Sequence, residues 1–168
     1  MTMFEKLESI DIVPLEDIYK AQSLATKEIL NTPLVKLNHE VEGKEIYLKL
    51  ENLQPVGSFK VRGGYNAIQN LLEEGESPSS VITASAGNFA QGLAWAAKES
   101  GLSCKSIVPD TAPQTKLDGL KTLGAEAIKV PYEEWWNIMS TGRTGIEGHF
   151  IHACCEYDCL AGNGVIGK

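Results

Sequence analysis

The 168-residue chain lacks a basic stripe and a long apolar run, and its first residues are not expected to form a targeting leader. Its 15 lysines and arginines against 22 acids leave a net charge of −7, so the clustered cations of a nucleic-acid-binding surface are missing. No apolar stretch approaches the ~20 residues that span a bilayer. Residues 1–10 contain acids and alternate polar with apolar positions, unlike a signal or transit peptide. These absences predict a cytoplasmic protein without nucleic-acid or membrane partners.

Cysteine is scarce and unevenly placed. The four cysteines are Cys104, Cys154, Cys155 and Cys159. Small secreted domains space their cysteines for several disulfides, so reduced thiols are expected here. His149 and His152 precede the last three cysteines and suggest zinc, but the adjacent cysteine pair does not fit the two-to-four-residue spacing of closed zinc sites. We therefore predict no metal site.

From residue 45 onward, short apolar runs alternate with segments of helical periodicity. This pattern is typical of an α/β protein with a mainly parallel sheet. The predicted strands are 45–50, 81–84, 105–108 and 126–130. Residues 65–73 are predicted to be part of a helix, and 88–99 and 113–123 are predicted to be helices. Gly124 is expected to end the last of them. An earlier helix is predicted from Glu16 to Leu30, because apolar residues recur there at helical spacing until Pro33 approaches.

The first run of chemical interest is residues 57–64, GSFKVRGG, which places Lys60 shortly after Gly-Ser. A lysine forms a Schiff base only as an accessible neutral amine, and a neighbouring cation such as Arg62 favours that form. The glycines of the run are expected to let a planar ligand approach the backbone, and Ser58 is expected to cap the next helix. Alone, the run also fits an ordinary solvated surface lysine.

The second run is residues 85–92, SAGNFAQG, between an apolar strand and an Ala-rich helix. The backbone N–H groups and the dipole at a helix N-terminus attract an anion such as a carboxylate. Alone, this run also fits a simple turn with an asparagine cap. Together, the two runs predict an amine-binding cofactor and an anionic substrate.

The two runs belong to an ordered series of motifs that covers nearly the whole chain. The series consists of 49–55 (KLENLQP), 57–64, 85–92, Val108-Pro109 with Pro113 and Lys116, 124–126 (GAE), 148–152 (GHFIH) and 161–167 (AGNGVIG). It resembles the serine/threonine dehydratase branch of the fold-type II pyridoxal-phosphate enzymes. The resemblance implies an α/β fold, pyridoxal 5'-phosphate as cofactor, and deamination of L-threonine or L-serine to a 2-oxo acid and ammonia.

The resemblance also implies roles for individual residues. Lys60 would form the Schiff base with the cofactor and move protons at the substrate Cα, and Phe59 would belong to the cofactor site. Asn88 would hydrogen-bond the phenolic oxygen of the cofactor. The residues implied for the substrate carboxylate are Ser85, Ala86, Gly87 and Asn88.

Three positions bear on the type of reaction. Serine racemases of this superfamily carry a second serine, the base on the opposite face, where this chain has Ala86, which disfavours a racemase. β-Replacement synthases typically have an acidic or amide residue after the lysine, where this chain has Val61 and then residues 62–64, RGG. Many dehydratases have histidine after the loop asparagine, and here Phe89 is expected to leave an aromatic wall.

The resemblance implies three segments. Residues 1–76 would form the N-terminal part of the large cofactor-binding subdomain, 77–152 the small α/β subdomain, and 153–168 an incomplete return to the large one. Family members are about twice as long or more, and their glycine run that holds the cofactor phosphate has no counterpart here. The alternative is therefore a catalytically silent truncated isoform that binds or modulates full-length subunits. A homo-oligomer is also expected.

Overall fold

The computed structural model describes residues 12–25, 29–76 and 78–168. The helices are α1 Leu15–Leu24, α2 Lys60–Glu73, α3 Asn88–Glu99, α4 Gln114–Thr122, α5 Tyr132–Thr141 and α6 Tyr157–Gly164. The strands are β1 Leu34–Val41, β2 Lys44–Lys49, β3 Ser80–Ala84, β4 Ser103–Pro109, β5 Glu126–Val130 and β6 His149–Phe150. Short 3-10 turns lie at Glu51–Leu53, Pro55–Gly57 and Val165–Gly167. In the described part of the chain, no helix has both the length and the apolar character needed to cross a bilayer.

A four-stranded parallel sheet, in the order β5-β4-β3-β6, forms the centre of the fold. β3 is buried along its whole length, as expected for a strand covered on both faces. Val81 packs into the larger core with α2 and α3, whereas Ile82 and Ala84 pack into a smaller core with Ile138 of α5. The predicted α/β class and the strands near 81–84, 105–108 and 126–130 are confirmed.

α2 runs directly against α3, and glycine makes the contact possible. An added Cβ at Gly92 of α3 would lie 2.8 Å from the carbonyl carbon of Lys60. An added Cβ at Gly64 of α2 would lie 3.2 Å from Cα of Leu93. Backbones approach this closely only where a side chain is absent. The start of α2 is therefore fixed against the second turn of α3.

The opposite side of α2 packs against α6 in the same way. An added Cβ at Gly63 would lie 2.7 Å from the carbonyl oxygen of Cys159, and one at Gly162 would lie 2.5 Å from the carbonyl oxygen of Arg62. The expectation that the glycines of residues 57–64 admit a planar ligand is therefore wrong for the two inside α2, which serve helix packing. Gly57 precedes the helix with φ of 66°, a left-handed turn suited to glycine.

The elements before the sheet differ most from the prediction. α1 ends at Leu24, where Ala25 turns extended, so the helix predicted to Leu30 is too long, and residues 26–28 lie outside the described residues. β1 was not predicted, and it pairs antiparallel with β2 through a turn in which Glu42 and Gly43 have positive φ. The division at residues 76 and 152 stays a prediction.

The bounds of α2 and α4 agree more closely with the prediction. α2 begins at Lys60, close to the start expected from a cap at Ser58, and it contains residues 65–73, which were predicted to be part of it. The end of α4 is as predicted, because Gly124 has φ of 80° and its N–H donates to the carbonyl of Lys121. The N–H of Ala125 donates to the carbonyl of Leu120, which completes the C-terminal cap.

Substituting Gly92 by alanine tests the contact between α2 and α3. We expect Gly92→Ala to lower the free energy of unfolding by about 1–3 kcal/mol, because the new methyl meets backbone atoms that cannot rotate away. Chemical denaturation measures the change. The control is Gly119→Ala in α4, where an added Cβ meets the end of the Gln91 side chain at 3.1 Å. That variant should be neutral or more stable, since alanine favours helix. Equal losses in both variants would contradict the packing role.

Candidate active site

Lys60 is the first residue of α2, and its side chain is partly buried. Its backbone N–H donates to the hydroxyl of Ser58 at 3.3 Å, so Ser58 serves the start of the helix as expected, although Phe59 occupies the N-cap position. The Lys60 ammonium lies 4.8 Å from the centroid of the Phe59 ring. The amine thus belongs to the first residue of α2 and lies beside the Phe59 ring.

A buried polar cluster holds the segment before Lys60. The guanidinium of Arg62 donates to both carboxylate oxygens of Glu51, at 2.9 and 2.8 Å, and to the carbonyl of Leu30 at 2.8 Å. Thr32 donates its hydroxyl to Glu51 at 2.5 Å. The Gln54 amide donates to the carbonyl of Leu30 at 2.8 Å and accepts from its N–H at 3.0 Å. These bonds tie residues 29–33 and 51–57 to the first turn of α2.

Charge in this polar cluster is compensated locally. Burial raises the pKa of Glu51, but hydrogen bonds from Arg62 and Thr32 outweigh it and keep that pKa below its ordinary value. The positive charge of Arg62 is likewise neutralised by the ion pair with Glu51. Arg62 therefore supports the loop structurally and does not act as a free cation beside Lys60.

Breaking the Arg62–Glu51 pair tests how much the polar cluster contributes to stability. Arg62→Met leaves the Glu51 carboxylate buried without its partner, and we expect a loss of about 3–5 kcal/mol in the free energy of unfolding near neutral pH. Denaturant titration measures the loss.

The control for this test is Lys20→Met. It breaks the exposed ion pair with Glu73 (3.3 Å) and should cost at most about 1 kcal/mol. Adding Glu51→Gln to Arg62→Met should recover part of the loss. A small loss in Arg62→Met, equal to that of the control, would contradict the role given to the cluster.

The second loop, residues 85–88, joins the end of β3 to the start of α3. The hydroxyl of Ser85 accepts from the N–H of Gly87 at 3.2 Å, and the hydroxyl of Ser106 on β4 donates to the carbonyl of Ser85 at 2.5 Å. An added Cβ at Gly87 would meet only the Ser85 hydroxyl, 3.9 Å away, among the described residues. Asn88 begins α3 with an exposed side chain. The loop is therefore held by hydrogen bonds on the side that faces the core, and its other side is accessible to solvent.

The structure brings the two loops together. Gly92, which contacts the backbone of Lys60, lies one helical turn after Asn88. The N-terminus of α2 and the start of α3 are consequently neighbours. The first N–H groups of α3 have no acceptor within their own helix, whereas the N–H of Gln91 donates to the carbonyl of Gly87. Ala86 packs against the larger core. The predicted aromatic wall at Phe89 is wrong, because this side chain is 3% exposed and belongs to that core.

The histidine and cysteine segment forms hydrogen bonds. His152 is buried, its Nε2 donates to the carbonyl of Met139 at 2.9 Å, and its Nδ1 accepts from the N–H groups of Cys154 and Cys155 at 3.0 and 2.9 Å. Because one ring nitrogen donates and the other accepts, these partners require the neutral form of the His152 imidazole. Within 12–25, 29–76 and 78–168, no three His, Cys, Asp or Glu residues are arranged to hold a metal ion. The cysteines are unpaired, and burial raises the pKa of Cys104 to about 12.

His152 should make stability depend on pH. Burial lowers its pKa below the ordinary 6.5, and the Met139 carbonyl offsets only part of this effect. As pH falls below that ordinary value, the unfolded chain takes up a proton before the folded chain does, so the free energy of unfolding should decrease. We expect denaturation curves from pH 7.5 downward to show this slope in the wild type and a weaker slope in His152→Leu. Identical slopes would contradict the assignment.

A lysine at a helix start, near an amide-bearing loop at the carboxyl end of a parallel strand, is typical of cofactor-binding α/β proteins. The chain belongs to the family of pyridoxal-phosphate dependent enzymes, whose family model matches residues 25–167. Its structural neighbours are fold-type II members of this family, so the predicted family, fold type and cofactor class are confirmed.

Several relatives are similar over most of this chain. L-threonine ammonia-lyase of Thermotoga maritima is 40% identical over 164 residues, which cover 93% of this chain and 40% of that protein. Serine racemase of Dictyostelium discoideum is 42% identical over 125 residues, covering 73% and 38% respectively.

Solved structures show the same similarity. A pyridoxal 5'-phosphate-dependent aspartate racemase matches with a TM-score of 0.79 and 38% identity, covering 92% of this chain and 49% of its own. The processed form of threonine deaminase isoform 2 from Solanum lycopersicum matches with 0.69 and 30%, covering 98% and 46%. The chain thus spans less than half the length of these relatives.

Proposed function

We propose that this chain carries the lysine-bearing part of a pyridoxal-phosphate-dependent ammonia-lyase that acts on L-threonine or L-serine. The observation that carries the proposal is the contact between Gly92 and the backbone of Lys60. This contact puts the backbone of Lys60 beside the second turn of α3, which supports a shared site for a cofactor on Lys60 and an anionic amino acid at the loop before α3. The L-threonine ammonia-lyase relative supports the reaction class.

The residues present fit the proposed cofactor. Lys60 offers a partly buried primary amine that would hold the cofactor aldehyde covalently, and the adjacent Phe59 would contact it. Asn88 offers an exposed amide that would hydrogen-bond the phenolic oxygen. Gly87 leaves open space in front of the loop that a larger side chain would fill. Bound there, pyridoxal phosphate would supply an electron sink for charge that develops at the substrate Cα.

The loop would hold the substrate by its carboxylate. The N–H groups of the first turn of α3 and the positive end of its dipole favour an anion. The Ser85 hydroxyl accepts from Gly87, which leaves its own proton available to the carboxylate. The amine of Lys60, one loop away, would accept the Cα proton and later return a proton to the leaving group.

Ala86 supports a lyase over a racemase, although racemases are also among the relatives. A racemase needs a second proton-transfer group on the opposite face of the substrate. The methyl of Ala86 cannot transfer a proton, and it packs against the larger core. The preference between L-threonine and L-serine, and association with a second copy or with full-length subunits, belong to the proposal.

Substituting Lys60 tests the proposal. We expect titration with pyridoxal phosphate to give a saturable visible absorption band, and borohydride reduction to attach the cofactor to the peptide that contains Lys60. Addition of L-threonine should release a 2-oxo acid and ammonia in equal amounts. Lys60→Ala should abolish the band and lower turnover by at least about 10²–10⁴-fold, because both the attachment point and the proton carrier are lost.

The matched control is Lys121→Ala, which removes an exposed lysine of α4 and should leave band and turnover unchanged. Attachment at another lysine would refute the role of Lys60. A Lys60-dependent band without product would instead favour the silent isoform that binds full-length subunits.

A further inference from the structure

Ser106 is an unusual residue for its position. It lies in the middle of β4, is fully buried, and shares its sheet face with Cys104 and Val108, which belong to the larger core. A hydroxyl in such surroundings is costly unless it is hydrogen-bonded. Its partner is the carbonyl of Ser85, at 2.5 Å. The buried hydroxyl of β4 is thus directed at the loop of residues 85–88.

The bond to Ser85 fixes the direction of the next N–H group. No cis peptide occurs in the described part of the chain, so the Ser85–Ala86 peptide is trans. In a trans peptide the C=O and the N–H point in opposite directions. Because Ser106 holds the carbonyl toward the interior, the N–H of Ala86 points away from the interior. Among the described residues, none accepts a hydrogen bond from this N–H.

We infer that Ser106 is a positioning residue that presents the N–H of Ala86 to the carboxylate of the bound amino acid. The inference rests on the proposed function, because it concerns the same carboxylate site. Ser106 does not touch the substrate; it acts through the peptide plane. The N–H of Gly87 already donates to the Ser85 hydroxyl, so Ala86 supplies the backbone donor before α3 that the loop leaves free. Without Ser106, the Ser85 carbonyl can rotate and the donor is lost.

Thr83 provides a control within the same sheet face. It lies opposite Ser106 in the β3–β4 register and is equally buried. Its hydroxyl has no hydrogen-bond partner in the described part of the chain. Removing either hydroxyl changes the same region of the core by one polar atom. Only the removal at Ser106 frees a loop carbonyl.

The experiment compares Ser106→Ala, Thr83→Val and the hydroxyl-retaining Ser106→Thr with the wild type. Acetate, a minimal carboxylate, is titrated into the cofactor-free, ¹⁵N-labelled chain while the Ala86 amide resonance is followed. We expect this resonance to shift in the wild type, in Thr83→Val and in Ser106→Thr. In Ser106→Ala the same shift should require about tenfold more acetate, as for the loss of one hydrogen bond to a charged group.

A second measurement separates this inference from the proposed function. With pyridoxal phosphate bound, L-serine is compared with serinol, which has a hydroxymethyl group in place of the carboxylate, by the change in the visible band. Ser106→Ala should weaken the binding of L-serine about tenfold and leave the affinities for serinol and for the cofactor unchanged. A general loss of structure would weaken all three.

Each result decides one of the two proposals. If Ser106→Ala and the wild type respond equally to acetate and to L-serine, the positioning role is overturned while the lyase proposal stands. If the acetate response depends on Ser106 but no Lys60-dependent band forms, the lyase proposal fails and the carboxylate site stands. No Ala86 response in the wild type would overturn the inference.

Discussion

The site depends first on the close passage of α2 between α3 and α6. Lys60 is the first residue of α2, so its position follows from where that helix lies. Gly64 and Gly92 bring α2 to α3, and Gly63 and Gly162 bring it to α6; an added Cβ would be excluded at Gly63, Gly92 and Gly162 and tightly packed at Gly64. The parallel sheet fixes α3 in turn, because β3 leads directly into the loop before it. The start of α2, which carries Lys60, and the loop of residues 85–88 are thereby placed close together by backbone contact.

Contact between the helices does not determine the conformation of the loop before Lys60. The buried polar cluster around Glu51 and Arg62 determines it. The carboxylate of Glu51 receives the two-pronged guanidinium of Arg62, which has only 6% of its side chain exposed. Apolar packing is tolerant of small rotations, whereas paired N–H···O bonds are directional. The two devices are complementary. The glycines set the distance between helices, and the charged pair sets the path of the chain that enters α2.

The sequence was sufficient to predict features that depend on local chemistry, such as the loop that joins β3 to α3. Residues 57–60 and 85–88 are recognisable because a loop between strand and helix needs glycine and small polar residues, and β3 is recognisable as a short, mainly apolar run. Contacts between residues far apart in the chain could not be predicted from the sequence. The bond from Ser106 to Ser85 joins residues 21 apart, and nothing near Ser106 in the sequence indicates its partner.

Other errors have related physical causes. Gly63 has the same local appearance whether it faces a ligand or another helix, and Phe89 follows the loop yet turns into the core. β1 was missed because its apolar residues do not alternate with polar ones, a pattern that strands with one buried face usually show.

The β1–β2 hairpin has a consequence for the dynamics of the molecule. Leu34 and Tyr47 are at least half exposed, and at its base the hairpin is joined to the chain by the bonds from Leu50 N–H to the Pro33 carbonyl and from the Lys49 ammonium to the Thr32 carbonyl. A two-stranded hairpin without a buried face is only marginally stable in water. Its amide hydrogens should therefore exchange with solvent through local opening, orders of magnitude faster than those of β3, whose exchange requires the whole sheet to unfold.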